Sequence, residues 1–188
     1  MFRQPPISVR IHGRAYRINP DFRIFAQMES DVRKDKANIE QTLQAFYRGS
    51  IPEDIEVAVE RLLWFYRLGE DDSPANGGGL NGQRAYDYEQ DMDAIYQSFM
   101  QDYHIDLYAC SLHWWKFCRL CAGLSDDTPF KRLVYIRTAD VSKMPPEQRT
   151  AILQARERCR ICDRSAQPET LTDYENAMVE QLKKAWNQ

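Results

Sequence analysis

The chain has 188 residues, 43% hydrophobic and 28% charged, with a formal net charge of −3; this is the length of one domain able to bury a core. Its four Trp, ten Tyr and eight Phe supply large packing units that exclude a disordered chain, and its near-balanced charge nominates neither nucleic acid nor an anionic membrane as partner. No apolar run of about 18 residues offers a membrane span, and Met1 to Pro6 lacks the apolar stretch of a secretory signal, so the cytosol is the expected place.

From the N-terminus, apolar and polar residues alternate between Ile7 and Ile18 on both sides of His12-Gly13, the pattern of a β-hairpin. Asn19-Pro20-Asp21 offers a capping side chain followed by proline at a first helical position, and Phe22, Phe25, Ala26, Met28, Glu29 and Val32 continue at helical spacing. A second helix is predicted from Ile39 to Tyr47, where Ile39, Leu43 and Phe46 share a face before Gly49. A third opens at Pro52-Glu53-Asp54 and carries the stripe Ile55, Val59, Leu62, Leu63 and Tyr66 until Gly69.

Residues 69–84, polar and rich in glycine, read as a flexible connector. Beyond it, Tyr86 to Tyr103 is helical by period, Leu107 to Gly123 reads as helix, and Phe130 to Arg137 fits helix or strand, with helix preferred. Past Pro145-Pro146, residues 145–188 read as two terminal helices, Glu147 to Cys162 and Thr170 to Trp186, the second opened at capping-box spacing. The fold class is therefore mainly α, a single helical domain over residues 1–188 with a short N-terminal hairpin over residues 7–18.

Three constellations carry chemical potential. Asp87, Glu89, Asp91 and Asp93 lie in a stretch without Lys or Arg from Ala85 to Trp115, and on one helix they form two i,i+4 carboxylate pairs. Such acids are first a solvated helix face, second a surface for a basic partner, and last a metal or catalytic site. Cys118-x-x-Cys121 and Cys159-x-x-Cys162 have the number and local spacing of a four-thiolate zinc site, but both pairs fall within helical patterns, where buried thiols explain them more simply; no cofactor is expected. Five cysteines, an odd count, suit a reducing compartment. Trp114-Trp115 beside His113 is a candidate binding platform with Tyr96, although adjacent rings on a helix diverge by about 100°, which assigns at least one of them to the core. His12, His104 and His113 offer a general base with no third partner. No nucleophile elbow, phosphate loop or dinucleotide fingerprint is present, so no enzyme is expected.

The run YDYEQDMDAIYQSFMQDYHIDL, Tyr86 to Leu107, followed by LHWWKF, Leu112 to Phe117, and a nearby Gly123 resembles a tailed-bacteriophage family encoded between the major tail protein and tape measure genes and labelled by a gene-product number. The hairpin followed by INPDFR, Ile18 to Arg23, and IPEDIEVAVERLLWFYRLG, Ile51 to Gly69, resemble the same family, extending the match from about Ile7 to Arg137. Cys118 and Cys121 stand where the family pattern has other residues, which weakens zinc as a shared trait. The resemblance implies a tail assembly chaperone in the host cell cytoplasm, binding the tape measure protein and tail-tube subunits of the major tail protein, with homo-oligomers compatible. A helical domain with an aromatic groove suits such a client. The alternatives are a tail-completion or connector subunit of the virion and, further behind, a zinc-binding adaptor.

Overall fold

A computed structural model of the protein describes residues 4–34, 36, 38–70 and 85–162. Strands β1 (Ser8–Ile11) and β2 (Arg14–Arg17) pair antiparallel, with Val9 opposite Tyr16 and Ile11 opposite Arg14. The connecting residues His12 (φ 46°) and Gly13 (φ 79°) both have positive φ, the two-residue turn whose twist matches the strands. Val9 and Ile11 face inward and are buried. The hairpin is the one predicted.

Seven helices follow among the described residues: α1 (Phe22–Arg33), α2 (Ile39–Phe46), α3 (Ile55–Tyr66), α4 (Met92–Tyr103), α5 (Trp114–Ala122), α6 (Pro129–Thr138) and α7 (Pro146–Arg158). The first three are capped by Asp21, Asn38 and Asp54, whose side chains accept from the amides of Arg23, Gln41 and Val57. The α1 cap is thus Asp21 and not Asn19, and Pro20 precedes the helix; Asn19 receives the Arg48 guanidinium instead, at 3.3 Å.

Two predicted helices are shorter than expected, for one reason. Asp87 Oδ1 accepts from the amides of Glu89 and Gln90, and Asp91 Oδ2 from that of Asp87, so residues 86–91 form side-chain-closed turns in place of the first helical turns. Asp106 Oδ1 does the same for the amides of Tyr108 and Ala109, and the segment predicted helical from Leu107 becomes regular only at Trp114. His104, left-handed at φ 54°, ends α4 between them. The segment Phe130 to Arg137 is helix, as α6, with Thr128 as its cap. The last described helix stops at Arg158, short of Cys162. Residues 71–84 of the expected connector and the expected helix Thr170 to Trp186 lie outside the described residues.

Phe25 of α1, fully buried, sits at the centre of the core. Its ring lies 5.1 Å from Trp114, 5.4 Å from Phe65, 6.0 Å from Phe46 and 6.3 Å from Tyr66, bringing three other helices onto one side chain of α1. Phe22 stacks on Phe117 at 4.4 Å, and Phe117 on Phe99 at 5.4 Å, carrying the aromatic column from α1 through α5 to α4. Burying each such ring contributes about 1.5–3 kcal/mol.

The C-terminal end of α3 is closed by backbone and side chains together. Gly69 N donates to Trp64 O (2.9 Å) and Leu68 N to Phe65 O (3.1 Å), a paired closure in which Leu68 (φ 61°) and Gly69 (φ 83°) both have positive φ. The two adjacent indoles complete it: Trp114 Nε1 donates to Tyr66 O and Trp115 Nε1 to Phe65 O, each at 2.8 Å. A Cβ at Gly69 would stand 2.8 Å from the Trp115 ring. Gly69→Ala therefore combines positive-φ strain with a clash against a held ring and is expected to lower stability by about 2 kcal/mol. Urea unfolding of the variant, with the midpoint unchanged, would refute this account of the α3 end.

Candidate functional site

A surface groove of about 390 Å³ opens between α1 and the 88–108 region. One wall is a single stripe of α1: Phe22 and Ala26 at its base, with Arg23, Gln27, Ser30 and Lys34 along the lip. These positions recur every three to four residues, the spacing that aligns side chains on one helix face. The other wall is Tyr88, in the turn that precedes α4, with Met92 and Tyr96, one turn apart on α4, and with Leu107 and Tyr108.

Hydrogen bonds tie the walls of the groove to each other and to the bundle. Arg23 donates to the carbonyls of Leu107 (3.1 Å) and Cys110, tying the 107–110 turn to α1. Phe22 N donates to Leu112 O and Trp114 N to Pro20 O, a short antiparallel bridge that fixes the start of α1 against the start of α5. At the far end, Ser30 Oγ and Lys34 Nζ reach Glu89 Oε2 at 2.7 and 2.6 Å, spanning the two walls. The opposite end stays open, where Tyr108 remains 67% exposed with its ring 4.8 Å from Tyr96. An aromatic surface so placed invites an apolar partner.

The predicted site residues divide sharply on this geometry. Tyr96 lines the groove, Glu89 sits on its rim, and Asp93 is exposed in the first turn of α4 beside Met92. Asp87 and Asp91 are buried and precede α4, so the four acids do not share one helix and the expected pair of carboxylate strips is not formed. Asp91 instead receives Arg137 in a two-point ion pair, Nη1 on Oδ2 at 2.5 Å and Nη2 on Oδ1 at 2.9 Å, inside the protein. The same guanidinium donates to Ala85 O and Cys159 O, joining the approach to α4, α6 and the end of α7.

Trp114 is buried in the core, and Trp115 is half-buried with its indole N–H committed to α3, so neither forms a platform facing solvent. The residues that sequence reasoning missed are those of the α1 wall, together with Tyr88, Met92, Leu107 and Tyr108. The spacing of Phe22, Ala26, Ser30 and Lys34 along one face was visible, but only the fold shows that the 107–110 turn leaves part of that face uncovered.

Cys118 is buried and Cys121 half-buried on α5, and burial pushes both thiols far above the ordinary thiol range. Cys159 closes α7 and Cys162 lies beyond it, its amide donating to the Gln90 side chain and its carbonyl accepting from it. Among the described residues no three His, Cys, Asp or Glu side chains gather as a metal ion would require. Tyr86 and Tyr88, with hydroxyls 3.2 Å apart, are likewise held neutral by burial, and the Tyr66 hydroxyl donates to buried Glu29 at 2.6 Å.

The histidines serve structure. His12 Nε2 meets exposed Asp54 at 2.9 Å, across from the hairpin turn to the cap of α3. His113 caps α5: Nδ1 accepts the Trp115 amide at 3.1 Å while Nε2 donates to Pro6 O at 3.0 Å, which requires the neutral ring.

These features define a helical protein with an aromatic surface groove and an internally consumed set of polar groups. The chain belongs to the bacteriophage Gp15 protein family, whose model matches residues 3–161. No curated protein and no solved structure gives a significant match. Among the described residues no helix is long and apolar enough to cross a membrane.

Two outcomes test these assignments. Arg137→Ala is expected to cost about 3–5 kcal/mol, because it strands the buried Asp91 carboxylate. Replacing both partners, as Asp91→Leu with Arg137→Met, should cost less than Arg137→Ala alone; chemical denaturation showing the double variant to be the weaker would sink the argument. Burial also lowers the His113 pKa below its ordinary 6.5. The unfolded chain thus takes up the proton more readily, so the cap's contribution is complete above pH 6.5 and fades as pH falls through the lower folded value. His113→Asn keeps an acceptor for the Trp115 amide, and its stability should fall less than the parent's between about pH 7.5 and about pH 5. Equal slopes in the two proteins would show that His113 does not carry this pH dependence.

Proposed function

We propose that this protein is a non-enzymatic factor of phage tail morphogenesis, a tail assembly chaperone that acts in the host cytoplasm and holds a helical segment of the tape measure protein. The observation that carries the reading is the open aromatic groove between α1 and Tyr88, Met92 and Tyr96. Its apolar base and polar lip follow the plan of helix-in-groove recognition, in which a client's anchor side chains enter a preformed cleft. A tape measure protein is a long helical chain whose apolar stripe needs cover until the tail tube closes round it, and a transient cover needs a surface of modest size. Membership of a bacteriophage family supports the setting, and the resemblance to proteins encoded beside tape measure genes supports the client. Contact with tail-tube subunits is part of the same proposal.

The titratable groups favour binding over catalysis. The histidines cap or pair structurally, Asp91 is consumed by Arg137, and the groove wall offers phenol rings and a thioether in place of an acid–base couple.

Coexpression with the tape measure protein from the same phage is the direct measurement. The soluble yield of the tape measure protein should rise several-fold with the parent chain and fall back with Tyr96→Ala plus Tyr108→Ala, and the protein should be absent from purified virions by mass spectrometry. An unchanged yield would refute the chaperone role, and stoichiometric presence in virions would favour a structural tail component.

A further inference from the structure

The groove has an electrical as well as an apolar character. Its two cations are already committed: Arg23 is bonded to the carbonyls of Leu107 and Cys110, and Lys34 to Glu89. On the opposite wall no Lys or Arg occurs from Ala85 to Trp115. Asp93, one residue beyond Met92, and Asp106, one residue before Leu107, are both exposed, and neither is joined to a cation in an ion pair among the described residues. Asp106 is fixed in place because its carboxylate holds the turn amides of Tyr108 and Ala109. The open end thus pairs the exposed Tyr108 ring and the half-buried Tyr96 with exposed carboxylates one to three residues from the lining residues Met92, Tyr96 and Leu107.

We infer that the occupant of this groove is an amphipathic helix that places large aliphatic or aromatic side chains one turn apart on one face and Lys or Arg on the flank that meets Asp93 and Asp106. This rests on the helix-binding reading above and specifies the chemistry of the segment bound. Met92 and Tyr96, one turn apart on α4, have the spacing that an entering helix presents, and Tyr88 extends the wall beyond them, so two or three anchors fit along the groove. The volume of about 390 Å³ accommodates that number of side chains and not a whole helix, which leaves the helix on the surface with its flank over the acidic wall. Charge at such a rim selects the partner and speeds encounter more than it adds affinity.

The test uses the full chain and labelled helical peptides of about 18 residues, five turns. All carry Leu at positions 1, 4, 5 and 8 of a repeating pattern, with the remaining surface filled by Lys in one peptide and by Glu in the other. Fluorescence anisotropy is expected to show the Lys peptide binding at least about tenfold more tightly at low salt, with the margin shrinking as salt rises. Asp93→Lys should reduce or invert the preference, and Tyr108→Ala, at an exposed ring whose loss leaves the core intact, should weaken both peptides. Circular dichroism of each variant confirms folding.

Equal binding of the two peptides, or a preference untouched by Asp93→Lys, overturns the inference about charge while leaving the coexpression result standing. Binding of neither peptide overturns the groove as a helix site. A dimer in sedimentation that Tyr108→Ala dissolves would assign the groove to a second copy.

Discussion

A helix that ends inside a protein leaves carbonyls with no partner in the next turn, and each must find a donor or a route to water. The α3 end meets this constraint with two consecutive indoles. Trp114 and Trp115 leave α5 in different directions, yet their N–H groups reach the consecutive carbonyls of Tyr66 and Phe65. The pairing fixes where α5 begins and how it is rotated about its axis, and it places the Trp114 ring on Phe25, Tyr66 and Phe117. Much of the aromatic column follows from that placement. The geometry also explains why Gly69 must lack a side chain, since Trp115 occupies the space a Cβ would take.

The groove inherits its position from the same contact. With α5 fixed, the bridge between residues 20–22 and 112–114 sets the start of α1, and Arg23 then draws the 107–110 turn against the α1 face. The opposite wall is placed by a second device. Asp91 and Arg137 lock the turn that precedes α4 onto α6 and the end of α7, which orients Tyr88, Met92 and Tyr96 toward α1. A buried ion pair is a weak source of net stability, because desolvation offsets most of its attraction. Its value here is positional, since its hydrogen bonds reach Ala85 and Cys159 as well as Asp91.

Periodicity in the sequence was enough for the hairpin, for α1 to α3 and for the mainly helical class, because the apolar spacing matches the buried face in each, although the cap of α1 is Asp21 and not Asn19. It overran where a short polar side chain offers the backbone an alternative. Asp87, Asp91 and Asp106 each accept amide protons that a helix would have left to its own carbonyls, and the pattern of Tyr88, Met92, Ile95 and Tyr96 does not reveal which use wins. For the site, Glu89 and Asp93 are exposed and Tyr96 lines the groove, whereas Asp91 is buried against Arg137, 46 residues beyond it and unmarked by any local signal. The α1 wall was legible as a helix face but not as an uncovered one, because that depends on the path of the 107–110 turn.

The manner of the groove's construction bears on how it can work. The walls are positioned by Arg23, the 20–114 bridge and the Asp91–Arg137 pair, bonds that do not depend on a guest in the cleft. A cleft that stays open without a guest requires little ordering when one arrives, and the ordering cost of association then falls on the guest. The contact of Glu89 with Ser30 and Lys34 across the groove is exposed, where an ion pair contributes about 0–1 kcal/mol and exchanges readily with water. The open end presents Tyr108 and Tyr96 without such a bridge. On the proposed reading, a chain entering there would displace water from the Tyr108 ring before it met the exposed Glu89 bridge, an order of events suited to transient binding.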